Sequence, residues 1–172
     1  MKRFIKLIQF GKRNTIKMIT ETSSPNKFSK NYFDYLKILI DQLSVENVSK
    51  FINLILETRE NNKAIFFIGN GGSASTASHF VNDISLGSRQ FEKPFRAISL
   101  CDNQAVITAI GNDDGYENIF LQQLQTQAKN GDVLVAISAS GNSPNIIKAI
   151  NWSKDNNIKT VGLSAFDGGE LA

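Results

Sequence analysis

Two residue types that build many catalytic and metal sites are almost absent from this chain, which contains one Cys and one His. A lone Cys101 excludes an intrachain disulfide framework and cannot by itself assemble a cysteine-rich metal site. Long apolar runs are absent as well, since none approaches the ~20 residues that a helix needs to cross a bilayer. We therefore expect a reduced, cytoplasmic protein without a transmembrane segment, in which Cys101 is a small buried apolar residue.

Acidic residues are missing from the first 17 residues, MKRFIKLIQFGKRNTIK, which carry six Lys or Arg. Because the net charge of the chain is +3, the remaining residues sum to −3, and the basic excess is local. A signal peptide fits poorly, since Lys6 interrupts the apolar core and no small-residue cleavage site follows. A basic segment that touches a membrane or nucleic acid is an alternative. We favour a frayed or helical extension and expect no nucleic-acid partner.

The rest of the composition, with 41% hydrophobic and 20% charged residues, fits one globular domain with a sizeable core. The segment ETSSPN, residues 21–26, clusters Ser, Thr, Pro and Asn and predicts a linker. We expect residues 1–29 to form a basic extension and linker, and residues 30–172 to form a single α/β domain.

Short apolar runs alternate with helical patterns through this domain. The run AIFFI, residues 64–68, is typical of a strand buried on both faces of a parallel sheet. Before it, Phe33, Leu36 and Ile40 recur at helical spacing, and Ser44 resembles the N-cap of a second helix. The alternation predicts an α/β fold with a three-layer, doubly wound, flavodoxin-like parallel sheet. The other predicted strands are residues 95–100, 133–138 and 160–166, and the predicted helices are residues 76–84, 103–110, 118–129 and 144–156.

The first strand runs into a glycine-rich turn, GNGGS, at residues 69–73. Gly69, Gly71 and Gly72 allow backbone angles that are closed to other residues and let main-chain amides approach an anion. The spacing excludes a G-x-G-x-x-G dinucleotide motif, and no G-K-[ST] of a P-loop is present. Alone, such a turn is a weak signal, because tight turns need glycine for steric reasons.

The third strand runs into a serine-rich loop, SASGNSPN, at residues 138–145. Ser143 followed by Pro144 matches an N-cap with proline at the first helical position. A helix start offers free amides and the positive end of a dipole to an anion, so the loop predicts a phosphate cradle of neutral donors. A loop that merely caps a helix explains Ser143 and Pro144, but it leaves Ser138 and Ser140 unexplained.

The single histidine, His79, lies on the helix after the glycine turn, with Asp83 four residues further on. Residues i and i+4 share one helix face, so the pair can converge on one metal ion or one substrate proton. A structural hydrogen bond or surface pair is the alternative for two such residues taken alone. Titratable groups in a cleft beside a binding loop favour a functional role.

These motifs together resemble the sugar isomerase (SIS) domain family, most closely its phosphoheptose isomerase branch. The resemblance rests on GNGGSA, SHFVND, AIGNDDGYEN, SASGNSPN and FDGGELA in that order, and it spans roughly residues 30–172. It implies a phosphosugar isomerase that interconverts sedoheptulose 7-phosphate and D-glycero-D-manno-heptose 7-phosphate through an enediol.

The resemblance also implies roles for individual residues. His79 and Asp83 match the metal-binding and catalytic positions, which implies zinc, although the family usually has Glu where this chain has Asp83. Ala139 stands where Thr is common, which removes one hydroxyl from the phosphate loop. The substrate-binding positions implied are Asn70, Gly71, Gly72, Ser73, Asn112, Asp113, Ser138, Ala139, Ser140 and Ser143. The acidic segment around Asp113 equally fits a solvated turn.

Family members continue beyond the position of Ala172 through a further strand and a C-terminal helix with more metal ligands, including a His. We therefore expect the SIS domain to be incomplete at this end, and the zinc site with it. Two interpretations follow: an isomerase whose sequence continues, or a non-catalytic SIS module that binds a sugar phosphate or a protein partner, as in replication control. A transcription-regulator form is disfavoured, because the leading residues are too few for a helix-turn-helix domain.

The apolar face of the first predicted helix, from Phe33 to Leu43, has no obvious cover within so short a sheet domain. An apolar surface of this kind predicts a homo-oligomer. The family resemblance implies a tetramer.

Overall fold

The computed structural model describes residues 24–172. The predicted basic extension lies mostly outside these residues. Within them the chain alternates helices and strands, beginning with two helices that precede the sheet. The helices are α1 (Pro25–Asp41), α2 (Val45–Glu60), α3 (Gly72–Asn82), α4 (Gln104–Asp113), α5 (Leu121–Gln127) and α6 (Pro144–Asp155). The strands are β1 (Ala64–Gly69), β2 (Arg96–Ser99), β3 (Val133–Ser138) and β4 (Lys159–Ser164).

A serine N-cap directly precedes each of the two helices before the sheet. The Ser24 side chain accepts a hydrogen bond from the Lys27 amide, and the Ser44 side chain accepts one from the Asn47 amide at 3.2 Å. Each bond satisfies one of the amides that a helix start leaves unpaired. Ser44 is therefore the N-cap that the sequence predicts.

The four strands form one parallel sheet in the order β2-β1-β3-β4. β1 lies in the interior and is buried along its whole length, so its sequence is apolar without alternation. The chain leaves β1 towards β2 and later returns to place β3 on the other side of β1. The predicted doubly wound parallel sheet is thus confirmed.

Helices cover both faces of the sheet and make it the middle of three layers. On one face Phe67 of β1 stacks on Phe80 of α3, with ring centroids 5.4 Å apart, and Ile55 of α2 packs in the same cluster. On the other face Leu124 of α5 and Ile146 of α6 pack against β1 and β3. The buried members of both clusters are at most 9% exposed, and partly buried side chains such as Phe80 pack against them.

The structure shifts several predicted boundaries. Helix α3 begins at Gly72 rather than residue 76, and it passes directly into a π-helical turn, Asp83–Gly87. The predicted helix 118–129 is divided into a 3₁₀ turn, Tyr116–Asn118, and the short α5. β2 is only four residues long, because Leu100 already lies in the turn that follows it.

Helix α1 has no buried residue, and several of its apolar side chains are exposed, whereas Leu36 and Leu39 are half-buried. Phe33 is 59% exposed and Ile40 is 64% exposed. The apolar face predicted from the sequence is therefore present and uncovered within a single chain. Within residues 24–172 we find no helix with the combined length and apolar character that a membrane-spanning segment requires.

Candidate functional site at the carboxyl ends of the central strands

The crevice beyond the carboxyl ends of β1 and β3 is where the strand order reverses. In doubly wound sheets ligands bind at this switch point, because the two flanking loops diverge there. Asn70 follows β1 directly, and the serine loop, Ser138–Ser143, follows β3. Two of the sequence motifs therefore meet in one place.

Asn70 and Asn145 join the two loops through a reciprocal pair of amide hydrogen bonds. Each side-chain Nδ2 donates to the Oδ1 of the other at 2.9 Å, and Asn145 is only 2% exposed. The hydroxyl of Tyr116 also donates to Asn70 Oδ1, at 3.0 Å. The Asn70 oxygen thus accepts two bonds, which fixes the orientation of its amide at the mouth of the crevice.

The serine loop is held by its own hydroxyls. The Gly141 amide donates to Ser138 Oγ at 3.2 Å, and the Asn142 amide donates to Ser140 Oγ at 3.3 Å. Ser143 Oγ lies 3.4 Å from Ser138 Oγ. The two amides occupy acceptor positions, so neither bond uses a hydroxyl proton of Ser138 or Ser140. In the Ser138–Ser143 contact either hydroxyl can be the donor, which leaves the proton of the other one for a ligand.

Ser143 is the N-cap residue of α6, but its side chain makes no capping hydrogen bond. Ser143 thus occupies the N-cap position that the sequence predicts, but its hydroxyl does not cap the helix. The Ser143 hydroxyl faces Ser138 instead, and the amides of the first turn of α6 keep no side-chain acceptor from Ser143. Pro144 has no amide proton, and the Ile146 amide donates to the Ser143 carbonyl at 3.0 Å. This helix start therefore presents the Asn145 amide and the positive end of the helix dipole to an anion.

A concavity of about 400 Å³ opens beside the start of α6, and of the three loop serines Ser143 lines it whereas Ser138 and Ser140 do not. Its walls come from the glycine turn, the 3₁₀ turn and the start of α6, so three separate segments contribute to it. Phosphate-sized ligands fit a cleft with fixed donors of this kind. The lining residues are Asn70, Tyr116, Glu117, Ser143, Pro144 and Asn145.

The three glycines of the first turn have different roles. Gly71 has φ +54°, which favours glycine, and a Cβ built on Gly69 would lie 2.5 Å from the Ser73 carbonyl oxygen. Gly72 lies in the first turn of α3 with open space around it and without a positive φ, so it does not use the backbone angles that glycine allows. The Ser73 amide donates to the Asn70 carbonyl at 3.0 Å and closes the turn.

His79 and Asp83 meet on the outer face of α3, where His79 Nε2 lies 3.4 Å from Asp83 Oδ2. Their side chains are 74% and 64% exposed. With Ser75, Thr76 and Phe80 they line a second concavity of about 280 Å³. Asp83 is also the first residue of the π-helical turn, a feature that is frequent at functional sites.

The pair supplies two ligand types that suit zinc, an imidazole nitrogen and a carboxylate. A structural zinc site needs four ligands, and a catalytic one needs three from the protein. Within residues 24–172 no group of three or more His, Cys, Asp or Glu side chains is placed to hold a metal ion. The described residues therefore do not complete a zinc site.

Asn112 and Asp113 end helix α4, and Asn112 Nδ2 donates to Asp113 Oδ1 at 2.7 Å. Both side chains are exposed, and neither lines the two concavities. Tyr116, three residues further on, reaches the crevice in their place. Sequence reasoning missed both Tyr116 and Asn145, although an amide in the first turn of a helix beyond β3 is a recognisable signal.

The fold agrees with what comparison with known proteins finds. The SIS domain family matches residues 31–165, and the chain belongs to this family. A phosphoheptose isomerase of Helicobacter pylori is 41% identical over 126 residues, which are 73% of this chain and 66% of the relative. The chain thus spans slightly under two thirds of the length of that relative.

Solved structures give the same result. The phosphoheptose isomerase of Neisseria gonorrhoeae has a TM-score of 0.68 at 35% identity, covering 74% of this chain and 66% of that one. The phosphoheptose isomerase from Francisella tularensis has a TM-score of 0.79 at 29% identity, covering 87% of this chain and 80% of that one. The phosphoheptose isomerase branch expected from the motifs is therefore the branch in which these relatives lie.

Proposed function

We propose that the chain is a phosphosugar isomerase, which interconverts sedoheptulose 7-phosphate and D-glycero-D-manno-heptose 7-phosphate in heptose biosynthesis for the cell envelope. The observation that carries the proposal is the serine loop, whose hydroxyls are prearranged beside the start of α6 at the switch point. The names of the relatives support this choice of substrate.

Ser138, Ser140 and Ser143 bind the phosphate in this proposal. Hydroxyl and amide donors to a charged oxygen contribute roughly 1.5–3 kcal/mol each. Asn70 donates one Nδ2 proton to Asn145, and its Oδ1 accepts from Asn145 in return. In this proposal the second Nδ2 proton of Asn70 is donated to an oxygen of the sugar or of the phosphate. Asn112 and Asp113 are proposed to bind sugar hydroxyls from the end of α4.

Asp83 is the proposed base that removes the proton alpha to the carbonyl, and His79 orients its carboxylate. At 1.5 Å rise per residue, His79 lies about 10 Å along the axis of α3 from Gly72, where the helix begins. In a heptose 7-phosphate the phosphate and the carbonyl are at opposite ends of the carbon chain. Separate sites for binding and for proton transfer are what such a substrate requires.

Zinc is not part of these steps. In the family the metal polarises the carbonyl oxygen, and His79 and Asp83 would be two of its ligands here. Since the described residues supply no third ligand, the proposed steps use only the side chains themselves.

A second candidate function is a SIS module that binds a sugar phosphate or a protein partner without converting anything. The exposure of His79 and Asp83 favours it, because side chains that are 74% and 64% exposed are not shielded from water as a proton-transfer pair would be.

One experiment separates the two functions. Calorimetry measures binding of sedoheptulose 7-phosphate, and NMR follows its conversion to the aldose, with and without added zinc. Binding with conversion supports the isomerase. Binding without conversion supports the sugar-phosphate module. Absence of binding to the purified chain contradicts the isomerase and the sugar-phosphate module, and it leaves the module that binds a protein partner.

We further propose a cytoplasmic homotetramer. The exposed apolar side chains of α1, including Phe33 and Ile40, support association with other copies of the chain. Sedimentation at micromolar concentration should give a species larger than the monomer, and Phe33→Glu should shift it towards the monomer. A wild-type chain that sediments as a monomer contradicts the assembly.

A further inference from the structure

The segment after β4 lies directly on the serine loop. Gly169–Leu171 forms a 3₁₀ turn, and we call residues 168–171 the clasp. The Leu171 amide donates to the Gly141 carbonyl at 3.0 Å, and the Glu170 amide donates to Asn142 Oδ1 at 2.9 Å. Both bonds end on residues that lie between the phosphate-binding serines.

The contact between the clasp and the loop is made by main chains at close range. A Cβ built on Gly141, which has φ +68°, would lie 1.8 Å from the Gly168 carbonyl oxygen. A Cβ on Gly169, which has φ +55°, would lie 2.4 Å from Asn142 Oδ1 and 2.5 Å from the Ser140 carbonyl oxygen. These separations leave no room for a side chain at either glycine.

The clasp is anchored in the core and is not a loose tail. Leu171 is 1% exposed and belongs to the larger hydrophobic cluster. Upstream of the clasp, the Ala165 amide donates to the Ala139 carbonyl at 3.1 Å. The serine loop is therefore held on one side by a segment whose own position is fixed by apolar burial.

We propose that the clasp sets the position of the serine loop, and that phosphate affinity depends on it through Asn142 and Gly169. This inference rests on the proposed function, because it assigns two positioning residues to the same phosphate site. Neither residue touches the phosphate. Each acts through the loop: Asn142 by accepting the bond from Glu170, and Gly169 by letting the clasp approach the Ser140 carbonyl.

The coupling works in both directions. If the clasp stabilises the loop conformation that binds phosphate, bound phosphate stabilises the clasp by the same free energy. The amides of Glu170 and Leu171 report on this directly, since both are hydrogen-bonded to the loop. Their hydrogen exchange should slow when inorganic phosphate or sedoheptulose 7-phosphate is added.

The adjacent glycine provides a matched control. Gly168 has φ +90°, and a Cβ there would meet Ala172 at 2.5 Å and Ser164 at 3.2 Å, rather than the serine loop. Gly168→Ala and Gly169→Ala therefore introduce the same atom at neighbouring positions with positive φ. Only Gly169→Ala pushes the new atom against the loop.

Calorimetry with inorganic phosphate and with sedoheptulose 7-phosphate tests the proposal. We expect Gly169→Ala to weaken binding by about tenfold, as expected for the loss of one charge-assisted bond. Gly168→Ala should weaken binding less than Gly169→Ala does, while lowering the thermal midpoint to a similar extent, because its new atom meets Ala172 and not the loop. Equal affinity of Gly169→Ala and wild type would overturn the proposal.

A second variant keeps the test independent of backbone strain. Asn142→Ala removes the acceptor of the Glu170 amide, whereas Glu170→Ala keeps the main-chain donor and is its control. We expect weaker phosphate binding and faster exchange of the Glu170 amide only in Asn142→Ala. If the wild type itself binds neither ligand, the proposed function fails. If the wild type binds and both test variants bind equally well, only the clasp inference fails.

Discussion

The switch-point crevice and the His79–Asp83 pair differ in how firmly their groups are held. In the crevice, Asn70 is fixed by three hydrogen bonds, to the nearly buried Asn145 and to Tyr116. At the end of α3, His79 and Asp83 lie 3.4 Å apart, Asp83 accepts one further hydrogen bond from the exposed Asn82 at 3.1 Å, and both side chains of the pair are mostly exposed. The difference teaches that the groups proposed to bind the substrate are held in place by several hydrogen bonds, whereas the groups proposed to react are not.

This contrast has a physical origin. The crevice uses the main chain and short side chains of loops that follow buried strands, so the sheet itself positions them. The pair on α3 points away from the sheet face on which Phe80 packs. Prearranged donors stabilise a ligand without further ordering, while exposed groups need other atoms around them before they exclude water.

The largest effect should come from the exposed His79–Asp83 pair. Asp83→Asn removes the proposed base, and general base catalysis is typically worth ~10²–10⁴ in rate. We expect NMR to show isomerisation of sedoheptulose 7-phosphate reduced by that factor, with calorimetric affinity unchanged. Asp155→Asn, at the exposed end of α6, is the control. An active Asp83→Asn variant would place the base elsewhere.

In the serine loop, Ser140→Ala should weaken binding of sedoheptulose 7-phosphate by about tenfold or more, because one donor to the phosphate is lost. Ser140 is exposed, so the thermal midpoint should stay nearly unchanged. Calorimetry measures the affinity, with the exposed Ser49→Ala on α2 as the control. The same affinity in Ser140→Ala and wild type would remove this hydroxyl from the site.

Asn145→Ala tests whether the crevice is held by the amide pair. The change leaves the Asn70 amide without its buried partner, which costs roughly 1–3 kcal/mol of unfolding free energy. Urea unfolding of Asn70→Ala, Asn145→Ala and the double variant should give a coupling of about 0.5–3 kcal/mol. Asn151→Ala, on the exposed side of α6, should be neutral. Additive single effects would show that the two amides are independent.

The smallest effect concerns Cys101, whose Sγ donates to the Gly69 carbonyl at 3.4 Å beside the glycine turn. Burial raises the pKa of the Cys101 thiol above its usual range. As pH rises past about 8.5, the thiol of the unfolded chain ionises first, so this group reduces stability between that value and the folded pKa. The pH dependence of the urea midpoint should be flatter in Cys101→Ala. Iodoacetamide should alkylate Cys101 more slowly in the folded protein than in urea. Equal rates in the two conditions would contradict the raised pKa.

The sheet could be predicted because its signal is local. A continuous apolar run such as residues 64–68 fits only a strand covered on both faces, and the structure buries all of it. Caps such as Ser44 were equally clear, since one side chain and one amide decide them. The start of α3 was placed too late, because Gly72 and Ser73 resemble turn residues when no contact is known.

The site was predictable only where a motif carries its own chemistry. The serine loop was located from its hydroxyls and Pro144, but the amide pair joins residues 70 and 145, which no local pattern connects. Tyr116 was missed for the same reason, because its partner lies 46 positions earlier in the chain. The assigned roles of Asn112 and Asp113 stay a prediction, since these residues pair with each other at the end of α4.

The position of β1 in the sheet has a consequence for synthesis of the chain. β1 pairs with β2 on one side and with β3 on the other, and β3 begins at Val133, 69 residues after Ala64. During translation at ~5–20 residues per second, the apolar residues 64–68 therefore emerge several seconds before one of their edges has a partner. An unpaired apolar strand of this kind adds to other chains and aggregates. In the chain, α2 directly precedes β1 and α3 directly follows it. The nascent chain should consequently depend on these two helices to cover one face of the strand until β3 is synthesised.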